Sequence, residues 1–140
     1  MTNKGILLDG IIIAKQTFAA SPRVIYNILL DQKKHSAFTG SPAIIENKVG
    51  GRFSFFEGYM TGAILELEEN HKIVLAMQFD EPGWHENHYS ICTFELIPVR
   101  KVTTISMLHT KVPNHLLEDL KKGWKTYYWH PLKLYLINHS

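Results

Sequence analysis

The feature that most constrains this fold is a series of short alternating segments over residues 43–110, followed by one long segment with helical spacing. In residues 72–79 the apolar side chains Ile73, Leu75, Met77 and Phe79 occupy every second position. Successive side chains of a strand point to opposite faces, so this alternation predicts strands with one buried face. The turns between the segments are short, which is typical of antiparallel pairing. We therefore expect an antiparallel sheet with one apolar and one polar face.

Seven strands are predicted from this pattern. The first is rich in β-branched residues and covers residues 11–18. The others cover residues 43–46, 52–56, 59–68, 72–79, 89–97 and 102–110, and Gly50-Gly51 is predicted to form a tight turn or bulge. The register of residues 52–56 stays open, because Phe53, Phe55 and Phe56 cannot all face the same side of a strand.

Two short helices are predicted after the first strand. Ser21 supplies an oxygen that caps free backbone N–H groups, and Pro22 suits the first helical position. Asp31 is the predicted cap of the second helix, which runs toward Phe38.

A long C-terminal helix is predicted after Val112-Pro113-Asn114, with Asn114 as its cap. Gly123 and Pro131 interrupt its interior, which favours a kink near Pro131. Its apolar stripe is predicted to consist of Leu117, Leu120, Trp124, Tyr127 and Leu134, widened by Tyr128, Leu132 and Tyr135. The helix has to lie across the apolar face of the sheet to bury this stripe, and a strongly curved sheet favours a cavity between the two. The predicted fold class is therefore α+β.

Composition limits the classes of protein that fit. A length of 140 residues predicts a single domain, residues 1–140, and 45% hydrophobic against 20% charged residues excludes a disordered chain. The net charge of +2 is scattered, which argues against a nucleic-acid partner. No run approaches the ~20 apolar residues of a membrane span, so no membrane partner is predicted. Cys92 stands alone and fits a reducing compartment, so we expect a cytoplasmic location.

Several segments together match one pattern in their order and spacing. They are Phe18-Ala19-Ala20-Ser21-Pro22, Val49-Gly50-Gly51-Arg52-Phe53, Gly58-Tyr59-Met60-Thr61-Gly62, Leu65-Glu66-Leu67, Lys72-Ile73-Val74, His109-Thr110-Lys111-Val112-Pro113, Gly123-Trp124, Tyr127-Tyr128 and Pro131-Leu132-Lys133. Through these segments the chain resembles the family of activator of heat-shock-protein-90 ATPase homologues, within the START-like (SRPBCC) superfamily, from about Ile13 onward. The resemblance implies a helix-grip fold, in which a curved sheet surrounds the C-terminal helix and encloses an apolar cavity.

Three functions follow from the fold and the resemblance. The first is non-catalytic binding of a hydrophobic or aromatic small molecule in the cavity. The second, implied by the resemblance, is a chaperone-associated interaction module. The third is a cyclase-like or hydrolase-like enzyme that uses the same cavity. We rank them in this order, because eukaryotic members of the family carry an additional N-terminal domain and no Ser-His-Asp arrangement is recognisable here. A monomer and a homodimer are both compatible with the sequence.

The predicted cavity residues come from the apolar strand faces and the helix stripe. They are Leu65, Leu75, Met77, Phe94, Met107, His109, Trp124, Tyr127 and Tyr128. His109 follows Ile105 and Met107 on the inward face, where a structural hydrogen bond is favoured over acid–base chemistry. Cys92 is predicted to be an inert core thiol.

A loop near residues 81–88 is the predicted lid or partner contact, through Trp84, His85 and His88. His85 and His88 are three residues apart in a loop, unlike the four-residue helical spacing of a zinc hydrolase. No metal or other cofactor is therefore predicted.

Overall fold

A computed structural model describes residues 9–139 of the chain. Seven strands form one antiparallel sheet in the order β1-β7-β6-β5-β4-β3-β2. The strands are β1 (Asp9–Phe18), β2 (Ile44–Ile45), β3 (Arg52–Phe55), β4 (Met60–Glu68), β5 (Lys72–Phe79), β6 (Ser90–Val99) and β7 (Val102–Pro113). Consecutive strands from β2 to β7 are neighbours, as the short predicted turns require. Strand β1 lies at the edge of the sheet, beside β7.

Two short helices follow β1 as predicted. Helix α1 (Pro22–Leu30) is capped by the Ser21 hydroxyl, which accepts from the Val24 N–H. Helix α2 (Gln32–Thr39) is capped by Asp31, whose carboxylate accepts from the Lys34 N–H at 2.9 Å. Gly40 ends α2 in the left-handed conformation, φ 77°, which glycine adopts without strain.

The C-terminal helical segment departs from a regular α-helix. A 3₁₀ turn (Asn114–Leu116) leads into α3 (Leu117–Gly123), a π-helix (Trp124–Trp129) and α4 (His130–Asn138). The interruption expected near Pro131 therefore takes the form of a π-helix that ends just before it. The predicted cap at Asn114 is wrong, because this residue opens the 3₁₀ turn and no side-chain hydrogen bond caps that turn.

The π-helix also changes which residues face the sheet. Residues five apart are about 140° apart around an α-helix, but the wider turn of an i→i+5 hydrogen-bond pattern brings them closer to the same face. Trp124 and Trp129 accordingly stack with ring centroids 5.8 Å apart. The buried positions of the segment are Leu116, Leu120, Trp124, Tyr128, Trp129, Leu132 and Leu136. The predicted stripe is wrong at Tyr127 and Leu134, which are both exposed, and it omitted Trp129.

The inward face of the sheet agrees with the alternation in the sequence. Ile73, Leu75, Met77 and Phe79 of β5 are all buried, as are Cys92 and Phe94 of β6. In β3 the open register resolves with Phe53 and Phe55 inward, while Phe56 lies in the following turn at φ 55°. These faces and the C-terminal segment enclose the core, which confirms the α+β helix-grip architecture.

The predicted inward position of Leu65 is wrong, because its side chain is 47% exposed. Ile64 before it is buried on the inner face, and successive side chains of a strand alternate, so Leu65 points outward. A β-bulge between Ile64 and Glu66 then leaves Glu66 on the outward side as well and returns Leu67 to the core side. In the part of the chain that the structure describes, no helix is long and apolar enough to cross a membrane.

Candidate functional site

A cavity of about 450 Å³ opens between the sheet and the C-terminal segment. Its size is within the range of small-molecule sites, roughly 300–1,000 Å³. The lining residues are Phe56, Tyr59, Met60, Phe79, Glu81, Asp119, Leu120, Gly123, Trp124, Tyr127 and Tyr128. Six of these are aromatic and two carry carboxylates.

The open end of the β4–β5 hairpin forms one wall of the cavity. Met60 pairs with Phe79 across the two strands, and the Asp80 N–H donates to the Tyr59 carbonyl at 2.8 Å. Tyr59 also packs edge-on against Phe79, with centroids 5.6 Å apart. The wall is therefore held by backbone pairing and ring contacts.

The junction of α3 with the π-helix forms the opposite wall. Leu120 and Trp124 face inward one turn apart, and Gly123 lies between them along the chain. A Cβ atom built on Gly123 meets no atom within 4 Å, so the missing side chain leaves open space beside the cavity. π-Helical segments recur at functional sites, so this junction is a candidate part of a binding site.

The sequence-predicted cavity residues divide into two groups. Trp124, Tyr127 and Tyr128 line the cavity, and Tyr127 is 64% exposed at its mouth. Leu75, Met77, Phe94 and Met107 face inward as expected but are buried in the packed core and do not line it. The crevice that Leu75 and Phe94 share with Tyr128 holds only about 10 Å³. The inner face of the sheet is thus filled near its middle and open only at one end.

His109 is part of a continuous series of hydrogen bonds in the core, which runs from Trp124 to the Met77 carbonyl. Trp124 Nε1 donates to His109 Nδ1 at 3.1 Å, which makes Nδ1 an acceptor. The remaining ring proton is then on Nε2, which donates to Ser90 Oγ at 2.8 Å. The Ser90 hydroxyl in turn donates to the Met77 carbonyl at 2.9 Å. Both ring nitrogens are used, so His109 ties the helix to the sheet and has no free lone pair for a bound molecule.

A second buried histidine, His35, was not singled out from the sequence. Its ring stacks on Phe55 with centroids 4.0 Å apart, and Nε2 lies 3.0 Å from the Tyr128 hydroxyl. His35 Nδ1 has no hydrogen-bond partner within residues 9–139. Burial lowers the pKa of both His35 and His109 to about 3, so both rings are neutral at physiological pH.

The loop over residues 80–89 does not bring its predicted lid residues to the cavity wall. Trp84 is half-buried against Phe79, and its Nε1 donates to the His88 carbonyl at 2.9 Å. His88 Nε2 donates to the Lys111 carbonyl, and His85 Nδ1 accepts from the Asn87 N–H. None of Trp84, His85 and His88 lines the cavity, so a partner contact through this loop remains a prediction. Across residues 9–139, no three His, Cys, Asp or Glu side chains converge as metal ligands.

One residue at the start of this loop does reach the cavity. The Tyr59 hydroxyl donates to the Glu81 carboxylate, and Asp119 lies on the facing helix. Burial raises the pKa of Tyr59 first, and Glu81, Asp119 and Asp80 raise it further through their negative charge. Sequence reasoning missed both carboxylates, because they become neighbours only when the hairpin end meets the helix.

Some cavity residues that were not predicted nevertheless share a sequence pattern with the predicted ones. Phe79 shares the inward face of β5, and Leu120 lies four residues before Trp124 on the helix stripe. Gly123 was recognised as an interruption of the helix, although its role as an opening in the cavity wall was not. Cys92 is buried as predicted, and burial raises the pKa of its thiol, which keeps it protonated.

A curved antiparallel sheet gripping a long C-terminal helix, with an aromatic cavity between them, defines the START-like helix-grip class. Within this class, the chain belongs to the family described as "Activator of Hsp90 ATPase homolog 1-like protein", whose pattern matches residues 19–136.

Relatives of known sequence agree with this assignment. The "Activator of 90 kDa heat shock protein ATPase homolog 1" of Mus musculus is 32% identical over 123 residues, which is 87% of this chain. The aligned part is 36% of the mouse protein, so the chain spans about a third of the length of that relative.

Solved structures share the fold. An HSP90 activator from Plasmodium falciparum superimposes with a TM-score of 0.83 at 29% identity, covering 89% of this chain and 94% of that one. The Aha1 dimer from Colwellia psychrerythraea superimposes with a TM-score of 0.76 at 18% identity, over 91% and 96% of the two chains. The second likeness concerns the fold alone.

Two glycines that differ in their surroundings give a matched prediction. Gly123→Ala is expected to raise the free energy of unfolding by about 0.5–1 kcal/mol, because alanine favours the helix and the new methyl meets nothing. Gly62→Ala is expected to lower it by about 1–3 kcal/mol, since its Cβ would overlap the Ala76 carbonyl oxygen on β5. Urea unfolding curves measure both. Destabilisation by Gly123→Ala would show that the space beside it is already occupied.

Stability is expected to fall in acid because of the two buried histidines. Their pKa is about 3 when folded against an ordinary 6.5, so between these values the unfolded chain binds protons that the folded chain does not. Their contribution is complete above pH 6.5 and declines as the pH falls, by at most about 3 kcal/mol per pH unit for the two together. Urea midpoints from pH 7 to pH 4.5 measure the slope.

The His35→Phe variant tests whether the buried histidines cause the loss of stability in acid. It keeps a ring of similar shape on Phe55 and removes one of the two groups, so the slope against pH is expected to fall by about half. A midpoint that stays flat between pH 6 and pH 4.5 in the unmodified chain would contradict the assignment.

Proposed function

We propose that this protein is a chaperone-associated module of the Hsp90 ATPase activator type. The observation that carries this proposal is the match to the Plasmodium HSP90 activator, which extends over nearly all of that chain. The matched mouse activator supports the same partner for the part it shares. The fold itself is common to many functions, so the surface has to supply the specificity.

The outward face of the sheet carries an apolar row suited to such a contact. Ile13 pairs with Leu108, Leu108 with Thr93, and Thr93 with Val74. The bulge on β4 adds Leu65 next to this line, beside Glu66, which pairs with Val74. We refer to Ile13, Leu108, Thr93, Val74 and Leu65 as the outer row.

The members of the outer row are available for contact. Ile13 is 67% exposed, Leu65 47% and Leu108 43%. Large apolar side chains grouped on one exposed face are typical of protein interaction sites, whereas isolated ones are not. Leu65, the extra residue of the β-bulge, thus extends the outer row.

The outer row gives the experiment. We expect Ile13→Thr/Leu108→Thr to weaken binding to Hsp90, and stimulation of its ATPase, by about tenfold or more, because anchors at an interface contribute most of its affinity. Threonine is β-branched and therefore favours strands, and both positions are exposed, so the urea midpoint is expected to change little.

Ile97→Thr is the matched control. Ile97 also points outward from β6 and is 43% exposed, the same as Leu108, but lies outside the outer row. Equal loss of Hsp90 binding in Ile97→Thr and in the double variant would contradict a specific role for the outer row. Full ATPase stimulation by the double variant would contradict it as well.

The cavity favours a second candidate function, binding of a small apolar molecule. The observation behind it is an aromatic space of about 450 Å³ whose helix wall is left open at Gly123. An enzymatic use of the same cavity has less support, because both nitrogens of His109 are already bonded.

Native mass spectrometry of freshly purified protein tests this second function. We expect an extra mass that disappears on denaturation and is absent from Gly123→Leu, because Gly123 lines the cavity and the Cβ atom of the new side chain meets no atom within 4 Å. Gly123→Ala is the control that leaves most of the space open. An extra mass that persists in Gly123→Leu would place the molecule elsewhere, and a bare mass in all three proteins would favour the surface function alone.

A further inference from the structure

The charges on the cavity wall are of one sign. Glu81 and Asp119 are the charged residues among those that line it, and no Lys, Arg or His does so. Among the ion pairs formed within residues 9–139, neither carboxylate takes part. Glu81 is half-buried, and a carboxylate beside an apolar space attracts positive charge more strongly than one in open water, because the local dielectric is lower. Asp119 is exposed to solvent and adds to the negative potential at the opening.

The Tyr59 hydroxyl indicates where this negative charge is felt. It donates to Glu81 from the cavity wall, and the negative charge of Asp119 on α3 also raises the pKa of this hydroxyl. The two carboxylates therefore flank one region at the meeting point of hairpin and helix.

The rest of the wall is aromatic in a way that suits the same charge. Tyr59, Phe79 and Trp124 line the cavity together with Phe56, Tyr127 and Tyr128. The face of an aromatic ring carries partial negative charge and attracts a desolvated ammonium group. Neutral apolar walls would suit any hydrophobic molecule, whereas rings combined with two carboxylates discriminate by charge.

We propose that the cavity selects a hydrophobic cation, namely an amine on an aromatic or aliphatic body small enough for about 450 Å³. This inference rests on the second candidate function, small-molecule binding, and specifies its ligand class. The body fills the space among the rings beside Gly123, and the ammonium group lies between Glu81 and Asp119.

Three indole probes separate charge from shape. Tryptamine, tryptophol and indole-3-acetate share one ring system and carry a cationic, a neutral and an anionic group. Isothermal titration of the full chain at pH 7 is expected to show tryptamine binding about tenfold more tightly than tryptophol, and indole-3-acetate most weakly. Added salt is expected to reduce the difference.

Variants identify the groups responsible. In Glu81→Gln/Asp119→Asn we expect tryptamine to fall to the affinity of tryptophol, while tryptophol itself is unchanged. Glu95→Gln/Glu118→Gln removes the same net charge from two exposed residues that do not line the cavity, and is expected to keep the preference. Gly123→Leu is expected to abolish binding of all three probes.

The outcomes distinguish small-molecule binding in the cavity from a preference for cationic molecules. Equal affinity for tryptamine and tryptophol in the unmodified chain, with loss of both in Gly123→Leu, would overturn the charge preference and leave small-molecule binding intact. A preference that survives Glu81→Gln/Asp119→Asn would overturn the assignment of these carboxylates. Failure of all three probes to bind would overturn the second candidate function together with the inference.

Discussion

The packing of Trp124, Tyr128 and Trp129 against the inner face of the sheet is the interaction on which the rest of the structure depends. Three large rings from six consecutive residues face the core only because the helix adopts a π-helical turn. Phe94 of β6 meets Trp124 and Trp129 edge-on, with centroids 5.8 and 5.5 Å apart. Aromatic pairs of this geometry stabilise beyond their buried area, which offsets the poorer hydrogen bonding of a π-helix.

Two polar connections set the position of the helix on this aromatic base. Trp124 is held through His109 and Ser90 to the backbone of β5, and Tyr128 is held to His35 of α2. Each hydrogen bond is buried, so a displaced helix would leave polar atoms unpaired at a cost of about 1–3 kcal/mol each. The helix thereby closes the middle of the sheet and leaves its end open, where the cavity lies.

The two candidate functions use opposite faces of the sheet. The outer row belongs to the outward face, and the cavity belongs to the inward face where the hairpin of β4 and β5 meets the helix. β4 contributes to both, because Met60 lines the cavity and Leu65 points outward. A chaperone contact and a bound small molecule are therefore compatible in one chain.

The amino-acid sequence determined the strands, the caps of the first two helices and most of the buried face. Alternation at Ile73, Leu75 and Met77 and the oxygens of Ser21 and Asp31 act over a few residues, so they can be read without knowing the fold. Tertiary structure decided the bulge beside Leu65, the inward turn of Trp129 and the placement of Glu81 and Asp119 on the wall of one cavity. A bulge, a π-helical turn and a cavity each depend on how distant segments pack, and local periodicity carries no information about that packing.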